Sequence, residues 1–225
     1  MKNKNTKFFI DFDGTISTVD VVDLILERFA SEEWKVVEKE WAEGKIGSRE
    51  CLSRQIALVN AGQEDVRRLL SKVEVDPYFE EFLKQARGLS IPATVVSDGF
   101  DFSIQEILKR SIESSLLENL PVYCNRLEWS AGKPKAVFNG DSPCEHGCAN
   151  CKPRVLKQLT DSHDFVVFIG DGLSDRFAAR SADLTFAKGK LLQFCQDNQI
   201  KHKPYTNFKD IKQWMESELL NLGRI

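Results

Sequence analysis

Two pairs of closely spaced aspartates follow apolar stretches of this sequence and could perform chemistry together. Asp11 and Asp13 lie in DFDGT, directly after FFI, while Asp171 and Asp175 lie in DGLSD, directly after FVVFIG. Carboxylates that converge without a cation repel one another and raise each other's pKa. A divalent ion removes this repulsion, and Mg²⁺ prefers oxygen ligands and commonly bridges carboxylates to a phosphate. The sequence therefore predicts an Mg²⁺ site formed by these four aspartates.

The residues around the first pair have the properties that phosphoryl transfer requires. Asp11 is a candidate nucleophile, because carboxylates can form aspartyl-phosphates. Asp13 could protonate the leaving alcohol and then activate a water molecule. Thr15 and Ser97 carry hydroxyl groups that could donate to phosphate oxygens, and a lysine would offset the charge of the anionic substrate. The expected chemistry is hydrolysis or transfer of a phosphomonoester.

A second set of reactive residues lies in CEHGCANCKP, residues 144–153. Cys144, His146, Cys148 and Cys151 have types and spacing that suit a tetrahedral structural zinc site. Such sites normally combine ligand pairs from two separate segments, so this set would need a tightly wound loop. Free or redox-sensitive thiols and a single disulfide are the alternatives, and the sequence leaves all three open.

The composition of the whole chain is typical of a globular protein with one main core. The 225 residues are 42% hydrophobic and carry a net charge of -3, which gives no basic surface for nucleic acid or anionic membranes. The apolar run near the start is too short for a signal peptide, and no segment is long enough to span a bilayer. We expect a cytoplasmic protein, a monomer or homodimer, with mostly reduced cysteines.

Apolar β-rich runs alternate with helical patterns along most of the chain, which predicts an α/β fold with a mainly parallel sheet. This is a Rossmann-like arrangement with helices on both faces. The runs RLEW and AVF around SAGKPK predict an antiparallel hairpin, and residues 17–75 contain only helical patterns. Ligands bind beyond the carboxyl ends of parallel strands. The aspartate pairs and Ser97 should therefore meet at one sheet edge, covered by the helical insertion.

Four motifs in order resemble those of the haloacid dehalogenase-like superfamily: DFDGT, the serine of VVSDGF, the lysine of CKP, and GDGLSD. The resemblance covers essentially the whole chain. It implies a catalytic core of residues 1–16 and 76–225 and a C1 cap of residues 17–75. It also implies that Lys152, rather than Lys133 in the predicted hairpin turn, is the charge-stabilising lysine.

The same resemblance implies a role for each matching residue. Superfamily dehalogenases lack an acid at the position of Asp13 and transport ATPases have threonine there, so this chain is similar to phosphatases and phosphomutases. The implied roles are Asp11 as nucleophile, Asp13 as general acid/base and carbonyl metal ligand, Ser97 as phosphate donor, Asp171 as metal ligand, and Asp175 as second acid of the last motif.

Within the superfamily the chain is similar to phosphoserine-phosphatase-like members, and most to the methionine-salvage branch that dephosphorylates 2-hydroxy-3-keto-5-methylthiopentenyl-1-phosphate. The loop SDGFDFSI replaces an SGG-type loop and places Asp98 before Gly99 as further substrate-binding candidates. Asp20 stands where phosphoserine phosphatases carry an acid for the substrate amine, but it equally suits a helix N-terminus.

Several functions therefore remain open at this stage. Phosphoserine, pyridoxal phosphate, phosphocholine or phosphoethanolamine are alternative substrates, and a phosphomutase is an alternative enzyme. A protein of a different class, responsive to zinc or redox state and with a vestigial acidic site, is the third hypothesis.

Overall fold

A computed structural model describes residues 5–139, 144 and 146–219 of the chain. The two ends of the predicted core, residues 1–4 and 220–225, lie outside the described residues. Seven strands form one sheet within the described part. They are β1 (Asn5–Ile10), β2 (Ala93–Phe100), β3 (Val122–Ser130), β4 (Lys133–Val137), β5 (Asp164–Gly170), β6 (Leu184–Ala187) and β7 (His202–Pro204).

The helices fall into an inserted group after β1 and a second group between the later strands. The inserted helices are α1 (Val21–Phe29), α2 (Trp34–Ala42), α3 (Ser48–Ala57) and α4 (Gln63–Leu70). The others are α5 (Phe79–Gly88), α6 (Asp101–Ser111), α7 (Ser114–Leu117), α8 (Lys152–Leu159), α9 (Arg176–Ser181), α10 (Gly189–Asp197) and α11 (Phe208–Trp214). A 3₁₀ turn covers Leu173–Asp175, and a π-helical turn covers Met215–Leu219.

The sheet has the order β4-β3-β2-β1-β5-β6-β7, and the pairs from β3 through β7 are parallel. The predicted hairpin is present as the antiparallel pair of β3 and β4. Its turn places Ala131 at φ 50° and Gly132 at φ 76°, the left-handed conformation that tight hairpin turns require. The sequence did not predict β7, because its residues HKP lack the apolar character of a strand.

Side-chain alternation along the central strand divides the core into two layers. Phe8 and Ile10 of β1 pack into one apolar cluster, whereas Phe9 between them packs into the other. Helices α5, α6 and α11 bury their apolar faces in the first cluster, and α8, α9 and α10 do so in the second. The predicted α/β class, with helices on both faces of a mainly parallel sheet, is therefore confirmed.

The inserted helices begin and end at one place beside the sheet. Ser17 and Val75 form an isolated antiparallel bridge, and the Asp76 N–H donates to the Ile16 carbonyl at 2.8 Å. The apolar side chains of α1 and α4 join the same cluster as the first face of the sheet. The boundary at residues 17–75 stays a prediction that these contacts support. Among the described helices, none has the length and hydrophobicity that crossing a membrane requires.

Candidate active site

The nucleophile candidate and the favoured lysine contact each other at the carboxyl edge of the sheet. Asp11 directly follows β1, whose last residue Ile10 is level with Ile169 of β5. Lys152 is the first residue of α8, and its Nζ lies 2.7 Å from Asp11 Oδ1. Both side chains are almost completely buried, at 6% and 2% exposure. Lys133, in contrast, lies exposed at the start of β4, so the structure brings Lys152 and not Lys133 to the site.

A second carboxylate holds the lysine from its other side. Asp175 Oδ1 accepts from Lys152 Nζ at 2.6 Å, and Asp175 Oδ2 accepts from the N–H groups of Asp171 and Gly172 at 3.1 and 3.2 Å. Both oxygens of Asp175 are thus occupied by donors. The position of this side chain suits orientation of Lys152 better than direct contact with a metal.

The pKa values of the buried groups reflect a surplus of negative charge. Burial raises the pKa of Asp11 well above its ordinary value, and the charge of Asp175 adds to this effect, whereas Lys152 opposes it. Burial alone would lower the pKa of Lys152, but the charges of Asp11 and Asp175 raise it well above its ordinary value. Lys152 therefore stays protonated, and one ammonium group faces several carboxylates.

Asp13 lies in an environment that suits a general acid. Its Oδ1 accepts from the Val21 N–H at 3.1 Å, and its Oδ2 accepts from the Ser97 hydroxyl at 3.2 Å. Burial, and next the charge of Asp20, raise the pKa of Asp13 to about 8. Its carboxyl group is accordingly protonated at neutral pH and able to donate a proton.

Gly99 is required for the close approach of Asp13 to the second strand. A Cβ added at Gly99 would lie 2.5 Å from Asp13 Oδ2 and 3.1 Å from Ser97 Oγ. The Gly99 N–H also donates to Ser97 Oγ at 2.8 Å. The loop after β1 turns at Gly14, whose φ of 72° is the left-handed conformation that glycine adopts freely. These two glycines fix where the carboxyl group of Asp13 lies.

The two predicted hydroxyl donors are both buried at the site. Thr15 Oγ1 donates to Asp171 Oδ1 at 2.7 Å, while Ser97 Oγ donates to Asp13. In the structure their hydroxyl groups thus contact site carboxylates, and a phosphate would have to compete for them. Asp98 lines the cavity, and burial raises its pKa to about 6.

The donor set fits a hard divalent cation. Asp11, Asp171 and Asp175 each offer a carboxylate oxygen, and these oxygens lie within 4.8 Å of one another. Burial, and next the charge of Asp175, raise the pKa of Asp171 to about 6. Mg²⁺ prefers oxygen ligands, and it would offset the negative charge of these carboxylates that Lys152 leaves uncompensated. Both oxygens of Asp175 already accept hydrogen bonds, whereas Lys152 contacts only Oδ1 of Asp11. Asp11 and Asp171 are therefore the carboxylates that would hold the ion. The carboxyl group of Asp13 lies outside this set.

These residues form one wall of a cavity of about 370 Å³ between the sheet edge and the inserted helices. The opposite wall consists of residues from α1, α2 and α3, so the insertion covers the site as expected. Its apolar members are Val22, Trp41, Cys51 and Leu52, and its polar members are Asp20, Asp23, Glu38, Ser48 and Gln55.

Several cavity residues were missed by the sequence interpretation. Asp23 and Glu38 face the cavity, and burial together with the charge of Asp20 raises the pKa of Asp23 to about 7. Gln55 Nε2 donates to Glu38 Oε2 at 3.0 Å, which orients that carboxylate. Asp20 fits both roles that the sequence suggests for it, substrate binding and helix capping. It lines the cavity, and as the N-cap of α1 its Oδ1 accepts from the Asp23 N–H at 3.0 Å.

The cysteine-rich loop brings three of its four candidate ligands together. The three sulfur atoms all lie within 4.8 Å of one another, and they belong to Cys144, Cys148 and Cys151. The His146 ring instead stacks on Phe177, with centroids 3.8 Å apart, and does not belong to this group. All six cysteines of the chain are free thiols in the structure.

Sequence comparisons identify relatives over most of the chain. A family model described as haloacid dehalogenase-like hydrolase matches residues 8–180. A Bacillus pumilus (strain SAFR-032) protein named 2-hydroxy-3-keto-5-methylthiopentenyl-1-phosphate phosphatase is 33% identical over 213 residues, covering 90% of this chain and 87% of the relative. A protein of the same name from Lysinibacillus sphaericus (strain C3-41) is 30% identical over 210 residues, covering 90% of each chain.

Solved structures of phosphoserine phosphatases have a similar fold. A substrate-bound complex has a TM-score of 0.72 at 22% identity, and a phospho-aspartyl intermediate analogue has a TM-score of 0.71 at 23% identity. Each comparison covers 95% of this chain and 99% of the solved chain. At such low identity the likeness is one of fold.

Proposed function

Because this chain belongs to the haloacid dehalogenase-like hydrolases, we propose that it is a Mg²⁺-dependent phosphatase that acts on 2-hydroxy-3-keto-5-methylthiopentenyl-1-phosphate. The observation that carries the proposal is the convergence of Asp11, Asp13, Lys152 and Asp171 on one wall of a covered cavity. This set combines a nucleophile, an acid, a fixed positive charge and oxygen ligands.

In the first step, a carboxylate oxygen of Asp11 attacks the phosphorus atom. The bond between phosphorus and the substrate oxygen breaks, and Asp13 donates its proton to that leaving oxygen. Lys152, 2.7 Å from Asp11, offsets the charge that builds up around the transferred group. Asp11 and Asp171 would hold Mg²⁺, which would supply the positive charge that an anionic nucleophile needs to approach an anionic substrate.

In the second step, Asp13 acts as a base. Having lost its proton, it accepts one from a water molecule that attacks the phosphorus of the aspartyl-phosphate, which releases inorganic phosphate and restores Asp11. Its hydrogen bonds from Val21 and Ser97 hold the carboxylate in place between the two steps. The inserted helices limit access of other water molecules to the intermediate.

The cavity wall opposite the catalytic residues supports a substrate with an apolar tail. Val22, Trp41 and Leu52 offer a surface for a methylthio group, and the carboxylates beside them can accept from hydroxyl groups. The names of the relatives from Bacillus pumilus and Lysinibacillus sphaericus agree with this choice.

One observation favours a second candidate, a phosphate ester that carries an amine. Asp20, Asp23 and Glu38 give the same wall three carboxylates. Among the residues that the structure describes, the cations that line this cavity are Lys152 and Lys190. A protonated amine would offset this charge, as expected for phosphoserine or phosphoethanolamine.

Release of inorganic phosphate from a substrate panel tests both candidates. The panel contains the methylthiopentenyl phosphate, phosphoserine, phosphoethanolamine, phosphocholine and pyridoxal phosphate, each with Mg²⁺ and with a chelator. The proposal predicts the highest kcat/KM for the methylthiopentenyl ester. A clear preference for phosphoserine or phosphoethanolamine, lost in Asp23→Asn, would select the second candidate. An isomerised phosphate ester without free phosphate would identify a phosphomutase.

We further propose a cytoplasmic enzyme that is a monomer or homodimer, with a C1 cap of residues 17–75. Analytical ultracentrifugation distinguishes the oligomeric states. Deletion of the cap by joining Ile16 to Asp76, whose backbone groups are 2.8 Å apart, tests whether the core folds alone. A folded core that retains activity only toward small generic esters would support the division.

A further inference from the structure

The three clustered thiols have the geometry of a partly assembled metal site. Sulfurs bound at ~2.3 Å to a tetrahedral zinc ion lie roughly 3.8 Å apart. The sulfurs of Cys144, Cys148 and Cys151 all lie within 4.8 Å of one another, so small side-chain rotations would bring them to that spacing. The Cys148 N–H donates to Cys144 Sγ at 3.2 Å, a backbone contact that stabilises a thiolate. The loop is thus already wound around a common point.

We propose that Cys144, Cys148 and Cys151 bind one Zn²⁺ ion as thiolates, and that this ion fixes the loop that carries Lys152. The fourth position of the tetrahedron is left to water or an external donor, because no fourth described histidine, cysteine or acid joins the group. The site is chemically separate from the carboxylates, since thiolates select soft ions such as Zn²⁺ and carboxylates select hard ions such as Mg²⁺.

The electrostatics of Cys144 agree with a ligand role. Burial alone would raise the pKa of this thiol, but hydrogen bonds from the N–H groups of Cys148 and His146 hold it below its ordinary value. A thiol must lose its proton to bind a metal. Burial raises the pKa of the other two thiols, Cys148 and Cys151, so these two would lose their protons only as the metal binds.

The loop connects the cluster directly to the catalytic lysine. Cys151 is the N-cap of α8, and Lys152 is the next residue. Asn150 Nδ2 donates to the carbonyls of Ser97 in β2 and Tyr123 in β3 at 3.0 and 2.8 Å, which ties the loop to these two strands. An ion held by Cys151 would restrict the position from which Lys152 reaches Asp11.

The same loop also contacts the inserted helices. The Arg49 N–H donates to the Gly147 carbonyl at 3.0 Å, and a Cβ added at Gly47 would lie 2.5 Å from that oxygen. Gly147 therefore fits closely against the start of α3, one of the helices that cover the cavity. Zinc bound by the flanking cysteines would stabilise this contact together with the position of Lys152.

Metal content of the purified chain tests the site without reference to activity. We expect about one zinc ion per chain after growth with added zinc, and thiolate-to-metal charge-transfer absorption when Co²⁺ replaces it. Cys148→Ala should lose the zinc and the absorption, whereas Cys195→Ala, which changes a buried cysteine in α10, should keep both. Circular dichroism of Cys148→Ala establishes that the variant is folded, and Cys144→Ala provides a second variant should it not be.

Three results would overturn the proposal. The first is wild-type protein without zinc that also fails to bind added Zn²⁺ or Co²⁺. The second is equal zinc binding by Cys148→Ala. The third is a disulfide between cluster cysteines, found by mass spectrometry in protein prepared without reductant. For the effect on Lys152, removal of zinc should lower kcat at saturating Mg²⁺, and re-addition should restore it. Unchanged kcat would contradict the link to the lysine.

Discussion

Replacement of Lys152 by methionine tests the electrostatic account of the site. Lys152 Nζ lies 2.7 Å from Asp11 Oδ1 and 2.6 Å from Asp175 Oδ1, and all three side chains are at most 6% exposed. At an effective dielectric constant of about 20, each contact contributes roughly 6 kcal/mol of Coulomb energy. Desolvation and repulsion between the carboxylates offset much of this energy. Removing one partner of a buried pair costs about 3–5 kcal/mol.

The assay is urea unfolding followed by tryptophan fluorescence, in chelator and in Mg²⁺. Lys152→Met should lower the free energy of unfolding by about 3–5 kcal/mol in chelator, and by less in Mg²⁺, because the cation replaces the missing charge. The matched control is Lys133→Met, which also changes a lysine before a proline but at an exposed position. Its effect should stay within about 0.5 kcal/mol.

A double variant separates charge from packing. Asp175→Asn keeps an oxygen acceptor for the Asp171 and Gly172 N–H groups but removes a buried charge. Added to Lys152→Met, it should recover at least about 1 kcal/mol of the loss. If Lys152→Met in chelator is no less stable than Lys133→Met, the lysine does not neutralise buried carboxylates, and the charge argument is wrong.

Three further predictions concern catalysis. Gly99→Ala should displace the carboxyl group of Asp13 and lower kcat by about 10²–10⁴-fold. The control is Gly88→Ala, where a Cβ meets nothing within 4 Å and kcat should stay unchanged. Equal activity of both variants would contradict the role of Gly99. Asp13 donates a proton only below its raised pKa of about 8, so kcat/KM for alkyl phosphates should fall as pH rises through that value. This decline should be absent for p-nitrophenyl phosphate, whose leaving group needs no proton, and a decline for both would place the titration elsewhere. Asp171→Asn should raise the Mg²⁺ concentration needed for half-maximal activity by at least about 10-fold, and an unchanged requirement would remove Asp171 from the metal site.

The grouping of the predicted site residues on one cavity wall could be expected from the sequence, because strand ends are marked locally. Asp11 and Asp171 each follow an apolar run, and parallel strands bring their carboxyl ends to one edge. Lys152 was distinguished from Lys133 by resemblance, and the structure gives the physical reason, since one is buried beside Asp11 and the other is exposed.

The opposite wall was not predictable in the same way. Asp23 and Glu38 lie on helices where acidic residues usually face solvent, and only the docking of α1 and α2 over the sheet edge turns them toward the cavity. The stacking of His146 on Phe177 joins residues from distant parts of the chain, so spacing alone placed this histidine with the cysteines. The short edge strand β7 has polar residues and depends on β6 for its pairing.

Trapping of the covalent intermediate is the most direct test of the central claim. Borohydride added during turnover reduces an acyl phosphate to an alcohol, which converts the modified aspartate into homoserine. Peptide mass spectrometry should then find homoserine at position 11 in the presence of substrate and Mg²⁺, and not in their absence or in Asp11→Asn. Phosphate release without any modification of Asp11, or with modification of another residue, would contradict the proposed mechanism.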